Sequence, residues 1–304
     1  YTGCLGSGCS TFALDDDGYE ALPSQTGAAG LAPGTYVITQ AADANWALTS
    51  ISCTTGESVS LANRRVTITL TAGEQTTCTF TNRAPSITIV QDSSPNDAQD
   101  FAFSGCQGSG CADFTLDDDA DGEHPNTQSA PVLAAGTYTI TQAEPPPSWP
   151  LTSLSCTTSE STNVYARQVT IVLAPGEQTT CTFKNTLDTR PATLALVEDT
   201  APDNPQDFVL HRCLADSCTD TTLDDDNDPG HSRTTAAASL APGVYTLSVD
   251  AVDGYETASI ACTGALVTPI DARTAAVRIR PATTVTCTFT HRPPQPRLTD
   301  VTQV

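Results

Sequence analysis

The chain has 304 residues, of which 35 are acidic and 13 basic, and its formal net charge is −22. A field of that sign repels nucleic acid and anionic membranes, so neither is expected as a partner. No apolar run approaches the roughly 20 residues that a membrane-spanning helix needs. Methionine is absent even at position 1, so the chain is expected to begin after processing or at the edge of a longer sequence.

Taken in chain order, one series of segments is written three times. The first copy runs from Cys4 and Cys9 through Leu14-Asp15-Asp16-Asp17, Gly34-Thr35-Tyr36, Leu48-Thr49-Ser50, Cys53, Val66-Thr67-Ile68 and Gly73-Glu74 to Cys78-Thr79-Phe80. The second begins earlier in the series, with Ile87-Thr88-Ile89-Val90-Gln91 and Asp100-Phe101-Ala102-Phe103, before reaching Cys106 and Cys111. It ends at Cys181-Thr182-Phe183, and the third copy repeats the whole order from Thr193 to Phe289. Copy one has only Tyr1, Thr2 and Gly3 where copy two has Ser86–Gly105. A repeat of about 100 residues matches one self-sufficient domain and exceeds a solenoid unit. The expected domains are therefore 1–84 (lacking its first strand), 85–189 and 190–293, followed by a tail, 294–304. Proline in the joints Arg83-Ala84-Pro85, Arg190-Pro191 and Arg292-Pro293-Pro294 favours stiff, extended connections.

Within each copy the apolar period is two. Thr35-Tyr36-Val37-Ile38-Thr39, Thr137-Tyr138-Thr139-Ile140-Thr141 and Val244-Tyr245-Thr246-Leu247-Ser248 alternate, as do Val66–Leu70 and Val169–Leu173. Such β-branched and aromatic alternation predicts half-buried strands, and no segment carries helical apolar spacing over ten residues. Pro-Gly or Ala-Gly pairs precede the tyrosine strands, and Ala72-Gly73 and Pro175-Gly176 are expected to turn hairpins between the last two strands. Each copy is read as about seven short strands in two packed sheets, giving an all-β chain of three tandem Ig-like β-sandwiches.

The twelve cysteines fall four per copy in matching places, which predicts a disulfide framework made in an oxidising compartment. Four cysteines allow three pairings in each copy. The preferred one joins first to second (Cys4–Cys9, Cys106–Cys111, Cys213–Cys218) and third to fourth (Cys53–Cys78, Cys156–Cys181, Cys262–Cys287). A zinc–thiolate reading is disfavoured because no histidine recurs in register with the cysteines.

The order Leu-Asp-Asp-Asp, then Pro33-Gly34-Thr35-Tyr36, then Trp46-Ala47-Leu48-Thr49-Ser50 before Cys53, then Gly73-Glu74 before Cys78-Thr79-Phe80 and Asn82 resembles the prealbumin-like domains of bacterial surface proteins. These are relatives of the B-type repeats in Gram-positive adhesins and pilins. Copy three departs with Gly254-Tyr255 in place of Trp46 and Trp149, and with Pro281-Ala282-Thr283 in place of Gly-Glu. The resemblance implies an exported, non-enzymatic stalk or fibre module and names no ligand. Some members of that family staple themselves with a Lys–Asn isopeptide bond. Lys184 is the only lysine here, so disulfides are expected to do the stapling.

The acidic runs are the most site-like feature: Asp15, Asp16 and Asp17; Asp117, Asp118, Asp119 and Asp121; Asp224, Asp225, Asp226 and Asp228. Clustered carboxylates suit calcium, which takes six to eight oxygens. They equally suit turns in which Asp bonds nearby amides, and the runs are read as lacking the glycine and terminal glutamate of a calcium loop. Calcium is the one cofactor considered. The histidines His124, His211, His231 and His291 are read as non-equivalent, and no repeated acid, base or nucleophile set is found, so no enzyme is expected. There is no N-glycosylation sequon; O-linked sugar on Ser and Thr stays open.

The tail residues Arg297, Leu298, Thr299, Asp300, Val301, Thr302, Gln303 and Val304 have the length of the strand missing from copy one. Two readings stand. They are a donor strand that fills the groove of the next copy, with Tyr1–Cys9 at its rim, or they are the start of a fourth repeat. The expectation is an extracellular, pilus-like filament subunit whose partners are copies of itself, head to tail. The alternative is an adhesin or stalk segment that holds a carbohydrate or protein on loops such as Glu144–Trp149.

Overall fold

The structure is a computed structural model, and it describes residues 1–17, 21–226 and 229–294. Described residues form strands and connections only, with no helix. The first repeat contains β1 (Thr2–Leu5), β2 (Gly8–Thr11), β3 (Gly34–Thr39), β4 (Ala47–Cys53), β5 (Ser58–Ser60), β6 (Arg65–Leu70) and β7 (Cys78–Arg83). The second contains β8 (Ser86–Ser94), β9 (Phe101–Gln107), β10 (Gly110–Leu116), β11 (Thr127–Ala130), β12 (Gly136–Gln142), β13 (Leu151–Cys156), β14 (Ser161–Asn163), β15 (Gln168–Leu173) and β16 (Gln178–Thr186). The third contains β17 (Ala192–Thr200), β18 (Phe208–Leu214), β19 (Ser217–Leu223), β20 (Ala238–Leu240), β21 (Gly243–Val249), β22 (Glu256–Thr263), β23 (Leu266–Asp271), β24 (Thr274–Ile279) and β25 (Thr284–Arg292).

Two compact units can be separated, one of residues 1–92, 98–143 and 153–183, the other of 93–97, 144–152 and the chain from Lys184 on. The first holds the five-stranded sheets β2-β1-β3-β6-β5 and β10-β9-β12-β15-β14 and the two-stranded sheet β4-β7; the sheet β11-β8-β16-β13 completes the second repeat. The other unit holds β19-β18-β21-β24-β23 and β20-β17-β25-β22. Burial alternates residue by residue in the long strands, as a sheet with one core face requires. In β17, for instance, Ala192, Leu194, Leu196, Glu198 and Thr200 are buried. The core of the third repeat gathers Leu194, Leu196, Phe208, Leu210, Leu247, Val277 and Phe289 from both of its sheets.

Two expectations about strands need correction. Among the described residues the second and third repeats contain nine strands each, because edge strands (β11 and β14; β20 and β23) join the main ones. The glycine turns at Gly73 and Gly176 do not close hairpins: β6 and β7, like β15 and β16, lie in different sheets. Positive φ at Gly73 (80°) and Gly176 (67°) bends the chain from one sheet to the other. Alternation alone identifies a strand and leaves its pairing partner open.

Gly176 is also a close-approach position. A Cβ there would stand 2.3 Å from Ala47 Cβ. Its N–H donates to Asn45 O at 2.9 Å, and its carbonyl accepts from Arg83 Nε at 2.8 Å. Asn45 Oδ1 in turn accepts from Ala135 N–H at 2.9 Å. The first and second repeats are thus fastened beside the Arg83-Ala84-Pro85 joint.

Six disulfides join Cys4–Cys9, Cys53–Cys78, Cys106–Cys111, Cys156–Cys181, Cys213–Cys218 and Cys262–Cys287. Bonded cysteines face each other directly across antiparallel ladders, for example Cys53 with Cys78 and Cys262 with Cys287. The long-range bridges each span a sequence separation of 25, so each restricts the unfolded chain by about 3 kcal/mol on the chain-entropy account. Replacing Cys156 and Cys181 together by alanine is expected to destabilise the second repeat by about that amount, read as a lowered denaturant midpoint. Replacing Cys106 and Cys111, whose loop is far shorter, is expected to cost less.

Candidate functional site

The strands that open the second and third repeats have a specific place. β17 lies between β25, to which it is parallel, and β20, to which it is antiparallel. β8 likewise has β16 on one side and β11, antiparallel to it, on the other. In β17, Leu196 stands opposite Cys287 and Glu198 opposite Phe289. Its inward side chains therefore close one wall of the core. The first repeat has no counterpart of either strand among the described residues, and β7 pairs only with β4. Among the described residues the outer edge of Cys78–Arg83 has no sheet partner, the arrangement that favours addition of another strand.

The side chains register the same gap. Phe183 and Phe289 are fully buried whereas Phe80 is half-buried, and Cys78 is more accessible than Cys181 or Cys287. Trp46 is 41% exposed while its counterpart Trp149 is 5% exposed. The buried core of this repeat shrinks to Ile51, Val66 and Ile68, with Tyr36, Ile38, Leu48 and Phe80 only partly covered. Within Tyr1–Cys9, Tyr1 reaches the groove side: its ring stacks on Phe12 and meets the edge of Phe80 at 5.2 Å. Cys4 and Cys9 instead pair across the β1–β2 hairpin of the opposite sheet. The tail segment Arg297–Val304 lies outside the described residues, as does Asp228.

The acidic runs are not equivalent. Asp15, Asp16 and Asp17 are exposed. In the second repeat, one carboxylate oxygen from each of Asp117, Asp119 and Asp121 lies within 4.8 Å of the others. Burial of Asp117, with Asp119, Asp121 and Asp100 close by, holds its carboxyl above the usual range. In the third repeat Asp224 and Asp225 are buried; Asp224 accepts the Asp226 N–H at 2.7 Å, and Asp225 accepts the Thr200 N–H at 2.6 Å.

The histidines are also more ordered than their spacing suggests. His124 and His231 follow the first aspartate of their runs at equal distance. Each faces an aspartate, Asp100 at 4.0 Å and Asp207 at 3.6 Å, so these two are equivalent after all. The signal was present in the sequence, but it appears only when histidines are counted from the aspartates rather than from the cysteines.

Alternation of strand residues predicts apolar inward positions, and one inward position departs from this. Gln91 of β8 is buried and accepts from Gln142 Nε2 at 3.1 Å. The corresponding residue of β17 is Glu198, which meets His291 Nδ1 at 2.6 Å, with both side chains buried. Burial pushes the Glu198 carboxyl up. The His291 ring stacks on Phe208 at 4.1 Å, beside a cavity of about 430 Å³ lined also by Tyr255 and Arg273. The loop Glu144–Trp149 is largely spent internally: Glu144 pairs with Arg278 at 3.1 Å, and the Trp149 carbonyl accepts from Asn185 Nδ2 at 2.9 Å.

A family profile described as a prealbumin-like fold domain matches residues 1–84 and 87–187, and a second profile of the same description matches 190–289. The chain belongs to the prealbumin-like fold domain family. Among solved structures it is similar to the TIE protein of Bacillus anthracis, with 13% identity and a TM-score of 0.28 over 86% of this chain. It spans 44% of that protein's length. It is similar too to the major pilin of Streptococcus pyogenes, with 15% identity, a TM-score of 0.22 and coverage of 68% of this chain and 97% of that one. For a minor pilin of Streptococcus agalactiae the values are 12%, 0.28, 72% and 100%. No curated protein matches the chain.

One titration follows from the geometry of the third prealbumin-like repeat. His211 on β18 is held between Asp220, 2.7 Å from Nδ1, and Asp250, 3.0 Å from Nε2. Hydrogen bonds to Asp220 and then Asp250 raise its pKa above the ordinary 6.5. A group raised on folding stabilises fully below its unfolded pKa and loses that contribution as pH climbs through the folded value. The melting temperature of this repeat is therefore expected to fall as pH rises from 6 upward, by about 4 °C per kcal/mol in a domain of this size. His211→Asn is expected to flatten that part of the profile. The buried Glu198 acts with the same sign but from a more acidic starting point, so its contribution remains in the variant.

Proposed function

We propose that this chain is a structural, non-enzymatic subunit of an extracellular bacterial filament or pilus-like fibre, and that copies join head to tail by strand addition. The observation that carries the reading is the unpaired outer edge of β7 above a thinly covered core. The 297–304 segment of one copy supplies the missing strand to the first repeat of the next. Placed on β7 in the register that β17 adopts on β25, Val301 takes the position of Leu196, opposite Cys78, and Gln303 that of Glu198, opposite Phe80. Gln303 then reproduces the buried glutamine that β8 carries at position 91. Val301 covers the disulfide and adds roughly the 1.5–3 kcal/mol of a buried aliphatic side chain. A contact between unlike ends does not close on itself and so generates an open filament.

Negative-stain microscopy of the full chain and of a chain lacking 297–304 tests this. Filaments are expected from the first and monomers from the second, with an excess of a 297–304 peptide capping growth of the full chain. Filaments that survive the deletion, or a full chain that stays monomeric at high concentration, reject strand donation by the tail.

A further inference from the structure

We propose that the loop after β10 in the second repeat, Asp117-Asp118-Asp119-Ala120-Asp121-Gly122, is a calcium site. Counted in alternate positions, it carries aspartates at its first, third and fifth places and glycine at its sixth. That is the opening half of a known calcium-loop pattern. The glycine that a reading of consecutive aspartates leaves out is present as Gly122. Its φ is +93°, and Ala120 is also left-handed at +64°. Two such residues curl the loop so that carboxylates 117, 119 and 121 converge on one side, and the loop closes where Asp117 N–H donates to Pro125 O at 3.3 Å.

Distance and burial point to a ligand independently of the motif. Oxygens bound to one calcium at about 2.4 Å stand no more than about 4.8 Å apart, and these three carboxylates satisfy that limit. Asp117 is only 3% exposed, and its Oδ1 has no hydrogen-bond partner among the described residues. Its other oxygen takes the Asp119 N–H. A buried carboxylate oxygen without a donor is costly, and a cation in the cluster removes that cost. The neighbouring His124 is turned toward Asp100. Backbone carbonyls and water complete a shell of six to eight oxygens. In the first repeat the aspartates are exposed. In the third, Pro229 stands at the sixth place, where the second repeat has Gly122. The assignment is therefore to the second repeat.

The test uses the full chain and is independent of filament formation. Calorimetric titration with calcium chloride after chelation is expected to show one ion per chain. The dissociation constant is expected in the roughly 10⁻⁴–10⁻³ M range of extracellular modules. The melting temperature should then rise in calcium relative to chelator at matched ionic strength. The doubly substituted Asp119→Asn, Asp121→Asn chain should melt in chelator at or above the unsubstituted value, because two mutually repelling charges are gone, and should show no response to calcium. No binding heat and equal midpoints in calcium and chelator would overturn the site. So would a calcium response undiminished in the variant, or magnesium binding as tightly as calcium.

Discussion

In the second and third repeats, the strand that begins the repeat is laid beside the strand that ends it. The ladder of β17 on β25 runs parallel over eight residue pairs, from Thr193 with Thr284 to Thr200 with His291. Residues far apart in sequence thereby become neighbours, and Leu194 and Leu196 are pressed onto Phe289 and Cys287 in one core. That pairing makes each sandwich a closed object. Among the described residues the first repeat has no such pairing, and the consequences spread from backbone to side chains: an open edge, a half-buried Phe80, an exposed Trp46 and a core of three buried aliphatic residues.

The same inward face also carries the polar departures. A strand residue that points into a sandwich is buried whatever its chemistry, so Gln91 and Glu198 must find partners inside. Gln91 finds Gln142, and Glu198 finds His291. The two repeats solve one positional problem with different chemistry, neutral amides in one and a titratable pair in the other. Buried polar pairs of this kind are weak evidence for stability and stronger evidence for a fixed register, since a one-residue slip would turn the strand's member outward and leave its partner unpaired in the core.

Disulfides and loops then act on a framework that is already set. The long-range bridges tie β4 to β7, β13 to β16 and β22 to β25, and so hold the final strand of each repeat, the one that bears the groove in repeat one. The acidic loops follow a strand of the opposite sheet, and their three copies have diverged: exposed in the first, convergent in the second, and partly consumed by the Thr200 amide in the third. Near-identical sequence runs thus stand in three electrostatic settings.

The strand content and the cysteine framework were legible in the residues, because alternation and cysteine spacing are one-dimensional signals. The partners of those strands were not. Gly73 and Gly176 read as hairpin turns, yet each carries the chain across to the other sheet. His124 and His231 read as unrelated until Asp100 and Asp207 were seen beside them. Asp117 and Asp15 open the same motif, and only packing distinguishes a buried carboxylate from an exposed one. By itself the sequence determined which residues face in and which face out, because that follows from the pleat. The tertiary structure decided which edges are filled and which carboxylates converge, because those depend on contacts between segments that lie dozens of residues apart along the chain.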